Sequence, residues 1–349
     1  MRFVDELKSA VTPRAALLVI GVLALQLLFI ASYVGALHDP RPKDVAFGVV
    51  APGPAAERTA DKLGKLPGGP LDPRVLKDEA TARRQIMHRD IDGALVVDPR
   101  GTTDTLLVAS GGGTALSRTL TTLLTEVDAA EKRTVKTEDV AAASDKDFNG
   151  LSSFYLVVGW CVGGYLCASI LAISAGSRAS NLPRAIIRLG TMALYSIVGG
   201  LGGAIIIGPI LGALPGSIMG LWGLGALVVF GVGAITLALQ ALTGIVGIGL
   251  AVLIIVIGGN PSAGGAFPLP MLPAFWKAIG PWLPPGAGTW SARSIAYFEG
   301  NALTGPLLVL AAWALVGVVV TLALSARRGR PANGSIDLSG TQYGRPLTP

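Results

Sequence analysis

Residues 154–175 form a long run without a single charged side chain, and this run constrains the fold more than any other segment. As a helix rising about 1.5 Å per residue, it crosses a hydrocarbon core of about 30 Å. Only 14% of all residues are charged, whereas soluble domains are about one quarter charged. We therefore predict an α-helical polytopic membrane protein. Further predicted spans without Asp, Glu, Lys or Arg follow at residues 189–211, 217–240, 243–258 and 303–325.

Residues 15–37 are predicted to form an additional, first transmembrane helix ahead of the five-helix transmembrane block, residues 153–326. A cleaved signal peptide is the alternative, because Val34-Gly35-Ala36 resembles a cleavage site. Signal-peptide cores usually run about 7–15 residues, however, and this one is longer. Residues 1–14 are predicted to form a cytoplasmic amphipathic start on the membrane surface, with a frayed basic flank as the alternative. The sequence thus predicts six transmembrane helices, arranged as one plus five.

Residues 38–152 are predicted to form a small extracytoplasmic α/β domain, inserted between the first and second spans. Basic and acidic residues are nearly balanced there, and short apolar runs alternate with amphipathic ones, a pattern typical of alternating strands and helices. The segment contains no cysteine, so it is predicted to fold without disulfides. Predicted strands are 45–51, one near Val75, 93–97 and 105–109, and predicted helices are 54–65, 79–89 and 114–132.

The distribution of basic residues predicts the orientation in the membrane. Lys and Arg next to spans mark the cytoplasmic side. With six spans, three basic clusters fall on one side, which puts both termini in the cytoplasm of a bacterial plasma membrane and residues 38–152 outside. The tail, residues 327–349, is polar and is predicted to be a disordered cytoplasmic segment. The three clusters are Arg2, Lys8 and Arg14, then Arg178, Arg184 and Arg188, and finally Arg327, Arg328 and Arg330.

Residues 259–301 form a predicted outer loop that is rich in proline and aromatic residues. Irregular backbone at membrane depth is tolerated only against protein or a water-filled cavity, so we expect short helices packed at the outer mouth. A gate and simple interfacial anchoring by tryptophan are both open interpretations. The candidate outer gate or interface residues are Pro268, Pro273, Trp276, Trp282, Pro284 and Trp290.

Several kinds of chemistry are not predicted. The spans lack titratable residues, which disfavours an ion-coupled carrier, and the turn at residues 110–113 lacks the GK[ST] ending of a nucleotide loop. That turn is either an anion-binding turn or a plain tight turn. A solvated face is the favoured interpretation of Arg83, Arg84, His88 and Arg89, over a ligand patch. We predict no catalytic, cofactor or metal site, so the chain is not expected to be an enzyme. Cys161 and Cys167 are expected to be packing residues, and glycine pairs spaced by four, Gly159 with Gly163 and Gly199 with Gly203, are expected at helix contacts.

The layout resembles the ABC type-2 membrane-domain (permease) family, in its phage-infection-protein-like branch. In the predicted outer domain, EATARRQIMHRDIDGALVV (residues 79–97), followed by Pro99, looks like the helix–strand unit of that family. DTLLVASGGGTALSRTLTTLLTEV (residues 104–127) looks like the strand and helix that follow it, and the loop with NP, LP and W resembles the loop before the last span. The order of single span, outer domain and five-span block agrees as well.

The resemblance implies the membrane subunit of a homodimeric exporter, driven by a separate cytoplasmic ABC ATPase subunit. The substrate would be amphiphilic or hydrophobic, such as a lipid, a glycolipid or a drug. The implied ATPase contacts are residues 1–13 and 176–188, with Arg178, Asn181, Arg184 and Arg188 as the contact residues. The expected partners are this ATPase, a second copy or similar permease and the lipid bilayer, without nucleic acid. The alternative is a non-transporting membrane scaffold whose outer α/β domain binds cell-wall or protein partners.

Overall fold

The computed structural model describes residues 12–328. The predicted amphipathic start therefore lies almost wholly outside the described residues, as does most of the predicted tail. The described chain begins with helix α1 (Pro13–Leu37), in which the hydroxyl oxygen of Thr12 accepts a hydrogen bond from the backbone N–H of Ala15. This bond satisfies one of the free donors at a helix start.

The α/β domain comprises residues 38–151 and is built on a five-stranded sheet with the strand order β2–β1–β3–β4–β5. β1 pairs in parallel with β2 and β3, β4 pairs in parallel with β5, and β3 and β4 form the antiparallel pair. The strands are β1 (Val45–Val50), β2 (Leu71–Val75), β3 (Gly93–Val96), β4 (Thr103–Val108) and β5 (Thr134–Asp139), and the helices are α2 (Pro54–Gly64), α3 (Glu79–His88) and α4 (Thr114–Ala130).

Helices cover both faces of this sheet. Leu63 of α2 and Leu120 of α4 belong to one buried cluster with Phe47, whereas Ile86 of α3 belongs to a second cluster with Leu107. Because successive strand residues point to opposite faces, neighbouring apolar residues in β4 serve both clusters. The α/β prediction is confirmed at the level of a small mixed sheet with helices. β5 was not predicted, because its sequence TVKTED is polar and the strand lies at the edge.

The remaining chain, residues 152–328, together with α1 forms the helical block. Five helices among the described residues are long and apolar enough to cross a membrane, namely α1, α5, α6, α7 and α11. The protein is thus a multi-pass membrane protein. The helices after the α/β domain are α5 (Ser152–Ala175), α6 (Leu182–Ile205, continued by a wider turn to Ile210), α7 (Ile218–Thr243), α8 (Val246–Ser262), α9 (Ala274–Ile279), α10 (Pro284–Tyr297) and α11 (Thr304–Arg328).

Helix α8 corresponds to the predicted span 243–258 but is shorter than the other five. It starts after a break at Gly244, whose φ is 69°. At the start of α8, Gly247 packs on Leu239 and Gln240 near the end of α7. Just beyond the end of α8, the carbonyl of Gly264 accepts a hydrogen bond from Arg293. α8 therefore runs between the same two ends of the block as α7.

Two ends of the helical block differ in composition. We call the end formed by Arg178, Arg184, Arg188, Arg327 and Arg328 the basic end; there Arg178 donates to the carbonyl of Leu242 (3.1 Å) and Arg328 donates to that of Ala241. We call the opposite end, which carries the α/β domain, the domain end. Two of the predicted basic clusters thus lie together.

One glycine of each predicted pair lies at a close helix contact, and further glycines that were not predicted do so too. Gly163 and Gly203 have close neighbours, but Gly159 and Gly199 face open space. A Cβ on Gly200 would lie 2.5 Å from the backbone nitrogen of Ala226 on α7. Spacing alone could not tell which of the adjacent residues Gly199 and Gly200 faces the neighbouring helix.

Candidate functional site

A cavity of about 570 Å³ lies between the α/β domain and the helical block; we call it the junction cavity. Drug-sized ligand sites usually fall within about 300–1,000 Å³. The walls are mainly glycine, alanine and proline backbone with one tryptophan, Trp290, and few charged side chains. The charged lining residues are Arg89, Asp90, Asp92 and Arg293.

Arg293 joins the two parts of the protein at this cavity. Its side chain belongs to α10, and the residue is only 4% exposed. The guanidinium donates to the carbonyls of Gly112 (3.0 Å) and Gly150 (3.0 Å) in the α/β domain and to those of Gly264 (2.7 Å) and Gly265 (2.8 Å) in the helical block. Its Nε–H has no hydrogen-bond partner among residues 12–328. Four carbonyl dipoles thus stabilise a buried cation that bridges the α/β domain and the block.

Arg89 reaches the same cavity from the other side. It follows α3 in a left-handed backbone conformation (φ 63°), which costs a non-glycine residue about 1–2 kcal/mol. Its guanidinium carbon lies 3.4 Å from the ring centroid of Trp290 and 4.7 Å from that of Phe298. Nη1 donates to the carbonyl of Trp290 and to Oγ of Ser294, both at 2.9 Å. This strained residue is therefore fixed between aromatic rings by α10.

The cavity also holds carboxylates. Burial raises the pKa of Asp92 to about 6, against the opposing effect of Arg89 and Lys277. Burial lowers the pKa of Arg89 to about 9, and the charge of Arg293 lowers it further in the same direction. At pH 7 both guanidinium groups are charged and Asp92 is mostly ionised, so the cavity presents both signs of charge.

A second recess adjoins the junction cavity. It has a volume of about 720 Å³, and its lining is almost wholly apolar. We call it the α11 groove. Pro281, Gly305 and Pro306 line both spaces, so the junction cavity with its four charged residues and the apolar groove share a wall. The remaining lining residues of the groove are Trp282, Leu308, Val309, Ala312, Trp313 and Val316.

The six predicted outer gate residues fall into three groups. Pro268 and Trp290 line the junction cavity, and Trp282, which is 69% exposed, lines the α11 groove. Pro284 is buried at the start of α10. Pro273 and Trp276 lie at and in α9, outside both linings. Three of the six thus line the junction cavity or the adjoining α11 groove, and whether they gate or anchor stays a prediction.

The predicted ATPase contacts lie at the basic end but differ in exposure. Arg188 is 7% exposed, and its guanidinium donates to the carbonyls of Ala175 (2.6 Å) and Gly176 (2.7 Å) at the end of α5. The side chain of Asn181 caps α6 by accepting from the N–H of Arg184. The helix that was predicted to begin at residue 189 begins at Leu182, because this cap starts it seven residues earlier. Arg178 and Arg184 are exposed.

Two other sequence interpretations are settled by hydrogen bonds. The backbone N–H groups of residues 110–113 donate to protein acceptors, including Ala141 O and Asp139 Oδ1, so the segment is a plain tight turn. The prediction that this helix face is solvated is confirmed for Arg84, which is exposed. Arg83 instead forms ion pairs with Glu79 and Glu138. The interpretation is wrong for Arg89, because the left-handed residue turns its side chain toward α10.

Arg293 and Asp92 were not singled out from the sequence. A usable signal for Arg293 was present: it is the one charged residue between Pro284 and Tyr297, in a segment otherwise made of small and apolar residues. Glycines at 286 and 288 hid the helix, because glycine is a poor helix former. They are needed there because Gly286 packs on the carbonyl of Gly280 and Gly288 packs on Val157.

Comparison with protein-family models, with curated proteins and with solved structures gives no match. The resemblance to ABC type-2 permeases therefore stays a prediction from sequence patterns. Within residues 12–328, no group of three or more His, Cys, Asp or Glu side chains is placed to hold a metal ion.

Proposed function

We propose that this protein is the membrane subunit of an exporter that moves an amphiphilic molecule across the bacterial plasma membrane. The observation that carries the proposal is the junction cavity, which is lined by charged groups and shares a wall with the apolar α11 groove. An amphiphile needs charged groups for its headgroup and an apolar surface for its chain at the same time. A pure anchor has no use for a cavity with charged side chains between its soluble and membrane parts.

The proposed topology has six crossings, with α8 as the fifth. α8 supports this count because it runs between the basic end and the domain end, although it is shorter than its neighbours. The basic end is proposed to face the cytoplasm, since Lys and Arg flank spans on that side. The α/β domain would then lie outside.

Energy is proposed to come from a separate ABC ATPase. The sequence lacks the GK[ST] loop that holds nucleotide phosphates. Exposed Arg178, Arg184 and Arg327 at the basic end offer a cationic docking surface, and residues 148–328 contain only one acidic residue, Glu299 at the domain end. Arg188 would act indirectly, by fixing the end of α5.

Homodimerisation is proposed through α1. Its apolar side chains are largely exposed in the single chain, as at Leu17 (70%) and Val19 (68%). In a bilayer such a surface contacts either lipid or a second copy of the chain. A cleft between two copies would give the amphiphile a path along uncharged walls.

The test is affinity purification of the tagged protein from its native membrane in mild detergent, followed by identification of the proteins retained. We expect an ATPase that contains a nucleotide loop in a fixed ratio to the protein. Arg184→Glu combined with Arg178→Glu is expected to release it, whereas Arg100→Glu, at an exposed arginine of the α/β domain, should not. Retention of the ATPase by the double variant would contradict the docking surface. Retention of cell-wall or secreted proteins without any ATPase would favour the scaffold alternative.

A further inference from the structure

The junction cavity contains hydrogen-bond donors that the protein itself does not use. Within residues 12–328, no acceptor receives the N–H groups on Nη2 or Nε of Arg89, although Nη1 is bonded twice. The same residue adopts a strained left-handed backbone and lies against Trp290 and Phe298. A guanidinium held rigidly with open donors is suited to a planar or tetrahedral oxyanion such as phosphate.

Two helix starts add to this preference. α10 contributes Gly286 and Ala287 from its first turn to the cavity lining, and α11 contributes Thr304, Gly305 and Pro306. The start of a helix carries a partial positive charge, which acts here without the N–H groups that Pro284, Pro285 and Pro306 lack. Arg293 adds its buried charge to the same wall.

The carboxylates set a further condition on the ligand. Asp92 and Asp90 line the same cavity, and their side chains accept no hydrogen bond from any residue between 12 and 328. Two guanidinium groups and two carboxylates leave the cavity near neutrality. A purely anionic ligand would satisfy Arg89 but would be repelled by Asp92, whereas a ligand with both charges satisfies both residues.

The apolar part of the ligand is set by the α11 groove. It begins at Pro281, Gly305 and Pro306, which also line the cavity, and follows α11 past Leu308 and Ala312 to Val316. Trp313 fixes one wall by donating from Nε1 to the carbonyl of Trp282 at 2.8 Å. This groove opens on the surface that a bilayer would cover, because Leu308 and Val316 are exposed in the protein alone.

We propose that the junction cavity and the α11 groove together bind one zwitterionic membrane phospholipid of the phosphatidylethanolamine type. Its phosphodiester would contact Arg89, its protonated amine would contact Asp92, and one acyl chain would lie along α11. This proposal rests on the proposed function, since it names the substrate class of that same site.

The test is native mass spectrometry of the delipidated, detergent-purified full chain, titrated with dioleoyl phosphatidylethanolamine, dioleoyl phosphatidylglycerol and dioleoylglycerol. We expect the ethanolamine lipid to bind at least tenfold more tightly than dioleoylglycerol and more tightly than the glycerol lipid. Free phosphoethanolamine at millimolar concentration should not displace it, because the acyl chain supplies much of the affinity. Equal binding of dioleoylglycerol, or displacement by free phosphoethanolamine, would overturn the proposal.

Matched variants locate the lipid in the site. Arg89→Gln should weaken binding of both phospholipids at least tenfold, whereas Arg84→Gln, at an exposed arginine on α3, should not. Asp92→Asn should abolish the preference for ethanolamine over glycerol lipid. Ala312→Phe should fill the groove and weaken all three lipids, whereas Ala311→Phe, at an exposed neighbour outside the groove, should leave them unchanged. Because Ala312→Phe leaves Arg89 intact, misfolding of an Arg89 variant does not decide the outcome.

The lipid measurement involves neither ATPase nor transport, so the two proposals fail separately. Lipid binding with the expected variant pattern but no co-purifying ATPase would sustain the site and reject the exporter. A co-purifying ATPase without lipid selectivity would sustain the exporter and reject this ligand.

Discussion

Replacement of Arg293 by methionine is expected to weaken the docking of the α/β domain on the helical block without unfolding either. The substitution removes four hydrogen bonds to the carbonyls of residues 112, 150, 264 and 265. A buried polar group left without a partner costs about 1–3 kcal/mol. Only the bonds to Gly112 and Gly150 cross between the domain and the block, so at the lower end docking weakens by about 2 kcal/mol. Since about 1.4 kcal/mol corresponds to a factor of ten, the undocked population should rise about thirtyfold.

Hydrogen–deuterium exchange of the full chain in detergent measures this population. The backbone of residues 259–283 and of the turn at 110–113 should lose protection about thirtyfold in Arg293→Met. Arg293→Lys keeps a charge and three donors, so it should lose about half as much on a logarithmic scale. Arg184→Met, at an exposed arginine with one hydrogen bond to Ser180, is the matched control. Protection in Arg293→Met within threefold of the wild type would refute the bridging role.

Other predictions concern single positions. Burial beside Asp104 raises the pKa of Asp128 to about 6. The folded protein therefore holds a proton that the unfolded chain releases. The free energy of unfolding should fall as pH rises from about 4 to about 6. Asp128→Asn should remove this dependence and stabilise the protein at pH 7 by about 1–2 kcal/mol, as judged by thermal unfolding at several pH values; a wild-type profile flat over this range would contradict it. Gly200→Ala should lower the melting temperature, because the added Cβ meets the backbone of α7, whereas Gly199→Ala, in open space, should not; equal effects would exclude the close contact. Arg188→Met should destabilise by about 2 kcal/mol through loss of two bonds to the end of α5, measured against Arg184→Met, and an unchanged melting temperature would disprove that role.

The helical and α/β elements were predictable because each leaves a periodic signal. The uncharged runs gave the membrane helices, and the alternation around Phe47 and Leu106 gave the strands. Element ends were less predictable where a side chain decides them. The cap at Asn181 extends α6 back through Arg184 and Arg188, although these charges favour a loop when only hydropathy is considered. The boundary between α7 and α8 was predicted at residues 240–243, and the helix ends there at Thr243, because Gly244 adopts a left-handed φ.

The candidate site was predictable only in part, because its charged residues are brought together across the chain. The proline and tryptophan content of residues 259–301 pointed to the right region, and Pro268, Trp282 and Trp290 do line the cavity or the groove. Arg89 and Arg293 are separated by more than half of the sequence and meet only because α3 ends in a left-handed residue beside α10. No local pattern encodes such a meeting, since it depends on how two separately folded parts dock.

The bridge made by Arg293 also sets an order for biogenesis. Its bond to Gly112 joins residues 181 positions apart, which at a synthesis rate of about 5–20 residues per second emerge roughly 10–40 s apart. The α/β domain has all its strands well before Arg293 is made, so it can fold while the later helices are still being inserted. During that interval the turn at 110–113 and the backbone of Gly150 have no guanidinium to bind. Docking is therefore a late step of assembly, and a chain truncated before α10 should insert most of its helices yet leave the domain tethered but unattached.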